Sequence, residues 1–490
     1  MNAPHMSPDE FRDAGHRLVD WVAEFMHTVG DMPVLAQTSP GELLARLPEH
    51  PPESPGGANE WDDIVRDLDE LILPAMTHWQ SPNFFAYFPC NASGPAILGE
   101  LVSAGLGAQG MLWQSGPGCT ELEMRTLDWM AEAVGLPDRF TFRSPEGGGS
   151  IQGTASEATL VSLIAARARA RRTAGGAPVT IYASTQAHSS FAKAAMVAGL
   201  ASGPDDHEAV RLIETDDDLA MDPAALERAI RADLDAGHIP SFVLATIGTT
   251  GTTAIDPLGP IADAIDRACA ESPRPWLHVD AAYAGSALVC PEFRWMSEGV
   301  ERADSFCFNP HKWLLTNFDC DLFWTRDRRA LTDALSITPE YLRNAATESG
   351  GVIDYRDWQI PLGRRFRALK LWFVMRHYGL EGLRAHIREG VRLAELFESW
   401  VAGDERFELA AKRTLSLVCF RLRAGDAATR DMLDRVNATG RAFLTHAALP
   451  DGQVIARMAI GATATRERHV REAWALISAE AERVLAGHSA

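Results

Sequence analysis

Between about residue 120 and residue 330, short apolar runs alternate with amphipathic stretches, and this alternation constrains the fold more than any other feature. The runs 179–184, 210–214, 241–247, 276–280, 305–309 and 321–324 are short and continuously apolar, as strands buried on both faces are. Helix chemistry separates them: over 222–236, Asp222 suits the N-cap and Pro223 the first helical position. The pattern predicts an α/β fold, a mostly parallel sheet with helices on both faces. Ligands of such sheets bind just beyond the carboxyl ends of the strands.

The flanks differ. Residues 1–97 read as a helical segment, with Phe11, Leu18 and Val22 on one face, a Pro/Gly-rich stretch at 47–59 and a second helix over 61–73. They hold too little apolar surface to stand alone and must pack on the chain's own body or on a partner subunit. The α/β unit is assigned 98–375. Helical periodicity over 364–402 (Leu383, Ile387, Val391, Ala394, Phe397), strands at 415–422 and 454–460 and a last helix at 466–485 give 376–490 as a small α+β domain.

Composition narrows the function. Sixty-six acids against 46 bases leave a net charge of −20, which disfavours nucleic acid and anionic membranes as partners. No basic segment followed by an apolar run opens the chain, and no uninterrupted apolar stretch reaches spanning length. The seven cysteines are dispersed without a CxxC pair, as free thiols in a reducing compartment are. A soluble cytoplasmic protein is expected. Lysine is scarce: only Lys193, Lys312, Lys370 and Lys412 are present, so chemistry needing a side-chain amine has four candidates.

Several motifs can be set aside. Gly105-x-Gly107-x-x-Gly110 has dinucleotide spacing but comes after helix-like sequence, and Gly116, Pro117 and Gly118 prevent the required helix from forming directly behind it. No HExxH or GxSxG occurs, and no metal site is expected. The run Gly147–Gly149 reads as a flexible turn leading into a helix at Thr154, with Thr154 and Glu157 at capping-box spacing. A helix start fed this way can seat a phosphate, although an ordinary capped helix is its commoner meaning. Asp280 ends a strand, where it can be a salt-bridge partner, a cap or a catalytic group. Lys312, in Asn309-Pro-His-Lys-Trp, also comes directly after a strand and precedes bulky apolar residues, where an unpaired ammonium is costly. His188 lies just past another strand, a place where histidine is more often structural. Together a strand-end lysine, a strand-end acid, a phosphate seat and a histidine meet the needs of pyridoxal phosphate used as an electron sink.

The sequence resembles the group II pyridoxal-phosphate-dependent decarboxylases, within them the aromatic-L-amino-acid decarboxylase type, from about residue 8 to the end. The motifs carrying the resemblance include THWQSPNFFAYFP (77–89), CTELEMRTLDW (119–129), IQGTASEATLV (151–161), QAHSS (186–190), WLHVDAAYAGSA (276–287), ADSFCFNPHKWLL (303–315) and DWQIPLGRRFRALKLWF (357–373). The resemblance implies a fold type I architecture and a homodimer with active sites at the subunit interface. It implies that Lys312 binds the cofactor covalently, Asp280 pairs with the pyridine nitrogen, His188 stacks on the ring and Ala282 lies against the other face. Ala155, Ser156, Asn309 and His311 match phosphate-binding positions, and Thr250 and Asp256 match supports of the pocket. Trp79, Tyr87, Phe88 and Pro89 match the substrate stretch. Tyr341 matches a proton donor on a mobile catalytic loop.

Three positions depart from the pattern. Cys90 stands where the family often has threonine, and Gln109 and Met111 stand where animal enzymes carry bulky apolar residues reaching across the dimer. Gly363 leaves room for a large ring where histidine decarboxylases carry serine. The implied reaction is decarboxylation of an aromatic L-amino acid to its arylalkylamine. The alternatives are an aromatic aldehyde synthase, disfavoured by Tyr341, and a decarboxylase for a non-aromatic amino acid, disfavoured by the aromatic 84–89 stretch.

Overall fold

The computed structural model describes residues 5–53, 60–172, 175–337 and 339–488. Seven strands form the large sheet: β1 (Gly148–Gln152), β2 (Val179–Ser184), β3 (Val210–Ile213), β4 (Ile239–Thr246), β5 (Trp276–Asp280), β6 (Ser305–Phe308) and β7 (Asp321–Thr325), in the order β1-β7-β6-β5-β4-β2-β3. β7 pairs antiparallel with both neighbours, β1 and β6, while the remaining pairings are parallel. All strands but β7 therefore run the same way.

Alternation along the strands sorts side chains to two faces. Phe242, Leu244, Trp276 and Phe323 pack with Val161 and Leu163 of the helix Ala155–Arg171. Val243, Leu277, Val279, Phe306 and Trp324 pack on the opposite side with Ile261 and Ile265 of the helix Leu258–Ala268. Asp222 caps the helix Pro223–Asp235 through Ala224 N–H, as its sequence suggests.

Two expectations need correction. The glycine run is not a flexible turn: Gly148 and Gly149 open β1, paired with Thr325 and Trp324. A Cβ on Gly148 would meet Phe142 at 2.8 Å and one on Gly149 the Phe323 carbonyl oxygen at 2.5 Å, so close packing requires these glycines. Neither half of the capping box forms. Thr154 makes no side-chain cap bond, and Glu157 accepts instead from Gly153 N–H at 2.8 Å.

The helix Arg367–Ala402, broken at Gly379 in left-handed conformation (φ 58°), leads to a second, antiparallel sheet. This comprises β8 (Phe407–Leu409), β9 (Leu417–Leu422), β10 (Thr445–Ala448) and β11 (Val454–Ala459), ordered β10-β11-β9-β8. The helices Asp426–Ala438 and Glu467–His488 bury Met432, Val436, Val470 and Ile477 with it. At the other end of the chain, Ser7 and Glu10 form a capping box on the helix Pro8–Thr28. Only Ala14 of that helix is buried, and Phe11 is 60% exposed. Its apolar face is only partly covered within its own chain, where Trp21 donates to Asp69 at 2.8 Å and Phe25 packs on His78. Residues 54–59 of the Pro/Gly-rich stretch lie outside the described residues. Among the described residues no helix is long and apolar enough to cross a membrane.

Candidate active site

The equally directed strands end on one edge of the sheet, and the chemistry-bearing residues collect there. β5 ends on Asp280; β6 passes through Asn309 into the short helix Pro310–Trp313 that carries His311 and Lys312; β1 leads through Thr154 to the helix beginning at Ala155. His188 lies beyond β2, and Thr250 beyond β4. A cavity of about 210 Å³ is lined by Phe88, Ala155, Ser156, His188, Thr250, Asp280, Ala282, Asn309, His311 and Lys312. Of the four lysines, Lys312 alone lines it. Lys193 is exposed, Lys412 is exposed beside Asp218, and buried Lys370 pairs with Glu100 at 2.9 Å.

Local bonds fix each group. Asp280 Oδ1 accepts from Ala282 N–H at 2.9 Å, which holds the carboxylate at the strand end. Burial pushes the Lys312 ammonium below its ordinary range, against the opposing pull of Asp280, and so favours the neutral, nucleophilic amine. Burial and the Lys312 charge likewise lower His188. Its Nδ1 accepts from Ser190 N–H at 3.2 Å, which leaves the proton on Nε2. Burial pushes His311 down to about 3. Its Nδ1 lies 2.8 Å from the Cys320 carbonyl oxygen and 3.0 Å from the Cys320 nitrogen, contacts that hold the ring in place.

Asp256 lies behind the wall. Its fully buried carboxylate accepts from Met221 N–H and Thr246 N–H, both at 2.7 Å, and so braces the end of β4. Arg457, on β11, is a participant that the sequence reading missed. Its guanidinium donates to the Thr250 carbonyl at 2.7 Å, the Gly251 carbonyl at 3.0 Å and the Tyr87 carbonyl at 3.2 Å, tying the small sheet to the cavity wall. An arginine inside the otherwise apolar run VIARMA was the available signal.

The substrate-stretch residues divide. Asn91 ties the 84–90 strap to the site, its N–H donating to the His311 carbonyl at 2.8 Å and its Nδ2 to the Gly461 carbonyl at 2.9 Å. Phe88 then stacks on Tyr283 at 3.9 Å between centroids, with Lys312 Nζ 5.5 Å from its ring. Pro89 is buried nearby, against Gly461. Cys90 is half-buried and outside the cavity lining; burial raises its thiol. Trp79 and Tyr87 stack on each other at 5.5 Å and are partly open to solvent. Gln109, Met111 and Gly363 do not line this chain's cavity. Gln109 and Gly363 sit side by side on the surface, with Arg364 N–H donating to Gln109 Oε1 at 2.9 Å. Tyr341 lies on the turn Glu340–Leu342, and its side chain is outside the described structure.

The cavity fits a phosphorylated aromatic aldehyde. An uncapped helix start at Ala155 offers main-chain N–H groups to an anion, and the ring of His311 lines the same cavity. Thr246 Oγ1 is buried on the wall without a partner among the described residues. An amine and a carboxylate face the remaining space.

Comparison with known proteins agrees with this chemistry. Residues 40–423 match the pyridoxal-dependent decarboxylase conserved domain. The chain is 46% identical to phenylacetaldehyde synthase of Arabidopsis thaliana, over 98% of this chain and 97% of that protein. It is also 46% identical to tryptophan decarboxylase 2 of Oryza sativa subsp. japonica, over 98% and 96%. The crystal structure of Oryza sativa TDC with PLP and tryptamine superposes with a TM-score of 0.93 at 42% identity, covering 98% of this chain and 99% of that one.

Proposed function

The chain belongs to the pyridoxal-dependent decarboxylase family, and from that premise we propose that it converts aromatic L-amino acids to arylalkylamines and carbon dioxide. The observation that carries the reading is the single lysine in a cavity shared with Asp280, His188 and Phe88. Bound there, pyridoxal phosphate supplies an electron sink for the pair released when the bond from Cα to the carboxylate breaks.

The protein's own groups do the rest. Lys312 Nζ anchors the cofactor, and Asp280 holds a proton on the pyridine nitrogen through a charge-assisted hydrogen bond. His188 and Ala282 cover the two ring faces. Ala155, Ser156, Asn309 and His311 bind the phosphate, while Thr250 and Asp256 support the end of β4. Phe88, with Tyr87 and Pro89 on the same strap and Trp79 stacked on Tyr87, excludes water from the substrate's ring. Tyr341 returns a proton to Cα once carbon dioxide has left.

The working form is a homodimer in the cytoplasm. The partly exposed apolar face of the helix Pro8–Thr28 and the surface position of Gln109 and Gly363 support a second copy that covers the first and completes the substrate pocket. Aldehyde formation is the second reading, favoured by the likeness to phenylacetaldehyde synthase and opposed by the tyrosine at 341.

A substrate panel tests the proposal. Purified protein with pyridoxal phosphate should release amine from tryptophan, phenylalanine, tyrosine, DOPA or 5-hydroxytryptophan with a higher kcat/KM than from histidine or glutamate. A pocket-shape preference of about 1–3 kcal/mol corresponds to roughly 10–200-fold. Preference for histidine or glutamate would refute the aromatic assignment.

A further inference from the structure

Asp321 opens β7 with its side chain fully buried, and among the described residues neither carboxylate oxygen has a hydrogen-bond partner. It stands opposite Gln152 of β1. On its other side the β6–β7 ladder ends with Phe308 opposite Leu322, so Asn309 occupies the next step, beside Asp321. The alternation of strands turns Asn309, Asp321 and Gln152 to the same face.

Two side-chain acceptors share that face with Asp321. Gln152 Oε1 and Asn309 Oδ1 are both buried and without a partner among the described residues. The Gln152 amide is already oriented, since its Nε2 donates to Ser150 Oγ at 2.9 Å and to the Trp358 carbonyl at 2.7 Å. Asn309 lines the cavity with Oδ1 on the buried side, which leaves Nδ2 for the cavity. An ionised Asp321 would face these oxygens with no donor to satisfy it. A carboxylic acid has one O–H to give.

The charged neighbours point the same way. Burial drives the Asp321 carboxyl well above the usual carboxylate range, and Asp280 on β5 and Glu157 on the helix Ala155–Arg171 add to that. Lys312 and Arg367 oppose it. Arg367 is engaged by Asp319, at 2.9 and 3.1 Å, and Lys312 is taken up by the cofactor when that is bound.

We propose that Asp321 is a positioning residue: it carries a proton and donates it in a hydrogen bond to Asn309 Oδ1, which fixes the Asn309 amide with its N–H groups toward the cofactor's phosphate. The arrangement supplies a donor to the phosphate and removes a negative charge that would repel it. The proposal rests on the assignment of pyridoxal phosphate to this cavity.

The test uses full-length apoprotein titrated with pyridoxal phosphate and, separately, with pyridoxal, which lacks the phosphate. Asp321→Asn keeps a neutral donor and should leave the Kd for pyridoxal phosphate within about threefold of wild type, whereas Asp321→Val should raise it about tenfold or more. Pyridoxal binding should hardly change in either variant. At pH 7.5 the infrared spectrum of the wild type should contain a carboxylic-acid carbonyl band that Asp321→Asn lacks, a readout that stands even where the valine variant does not fold. An absent acid band, or tenfold tighter pyridoxal phosphate binding by Asp321→Asn, would mean an ionised Asp321 and overturn the proposal. Equal loss of both ligands in Asp321→Val would reduce the residue to a packing role. Failure of the wild type itself to take up pyridoxal phosphate would instead overturn the cofactor reading and this inference with it.

Discussion

A methyl group added at Gly285 should disturb the site from beneath. A Cβ there would lie 2.3 Å from Phe308 Cβ, 2.7 Å from Phe308 Cγ and 3.2 Å from Ala281 Cβ. Neither neighbour is the far end of a flexible side chain. Phe308 ends β6 directly before Asn309, and Ala281 comes directly after Asp280. Main-chain bonds hold both segments: Ala281 N–H donates to the Cys307 carbonyl at 3.0 Å, and Asn309 N–H to the Ala282 carbonyl at 3.0 Å. Carbon contacts relax at about 3.5–4.0 Å, so one strand end must move by roughly 1 Å. Overpacking costs about 1–3 kcal/mol, and the stiffness of these neighbours puts Gly285→Ala near 3 kcal/mol. About half of that cost, falling on the positions of Asp280 and Asn309, weakens pyridoxal phosphate binding about tenfold. Denaturant unfolding of the apoprotein and absorbance titration with the cofactor read the two effects. Gly259→Ala is the control, since a Cβ there has no atom within 4 Å; its stability should stay within about 1 kcal/mol of wild type. A Gly285→Ala protein with wild-type unfolding midpoint and cofactor Kd would refute this coupling between packing and site.

Two further outcomes are expected. Tyr341→Phe should lose most amine formation, a general-acid contribution of about 10²–10⁴-fold, and gain aldehyde, ammonia and peroxide as oxygen competes for the decarboxylated substrate; unchanged amine yield without peroxide would remove Tyr341 from the mechanism. Asp256 is pushed up to about 6 from 3.8, chiefly by burial, so the native state keeps its proton after the unfolded chain has released it. Stability from this group is therefore full below the unfolded value and is lost as pH rises from about 4 to 6, a change of about 3 kcal/mol at ~1.36 kcal/mol per unit. Asp256→Asn lacks that titration, so its stability deficit relative to wild type should shrink by about 3 kcal/mol between pH 4 and pH 7; a deficit independent of pH, by denaturant midpoints, would contradict the assignment.

Much of this architecture was legible because buried strands leave an unambiguous trace. Trp276, Leu277 and Val279 need apolar neighbours on both faces, and only a covered sheet supplies them. β1 was hidden because its opening glycines answer to clearance from Phe142, Trp358 and Phe323, contacts set by distant sequence. Lys312 and Asp280 could be placed because strand ends converge in such a sheet, whereas Arg457 reaches the cavity wall from the far end of the chain through tertiary contact alone. Gln109, Met111 and Gly363 were named from resemblance. Within one chain nothing brings them to Lys312, since the site proposed for them is shared by two copies.

Borohydride reduction of the protein loaded with pyridoxal phosphate, with peptide mapping of the product, tests the central claim most directly. The reagent fixes the cofactor on whichever lysine holds it, and the four lysines occupy four distinct environments. The account predicts label on Lys312, the only one lining the cavity, and loss of both the visible absorbance and turnover in Lys312→Ala. Label on Lys193, Lys370 or Lys412 would contradict it.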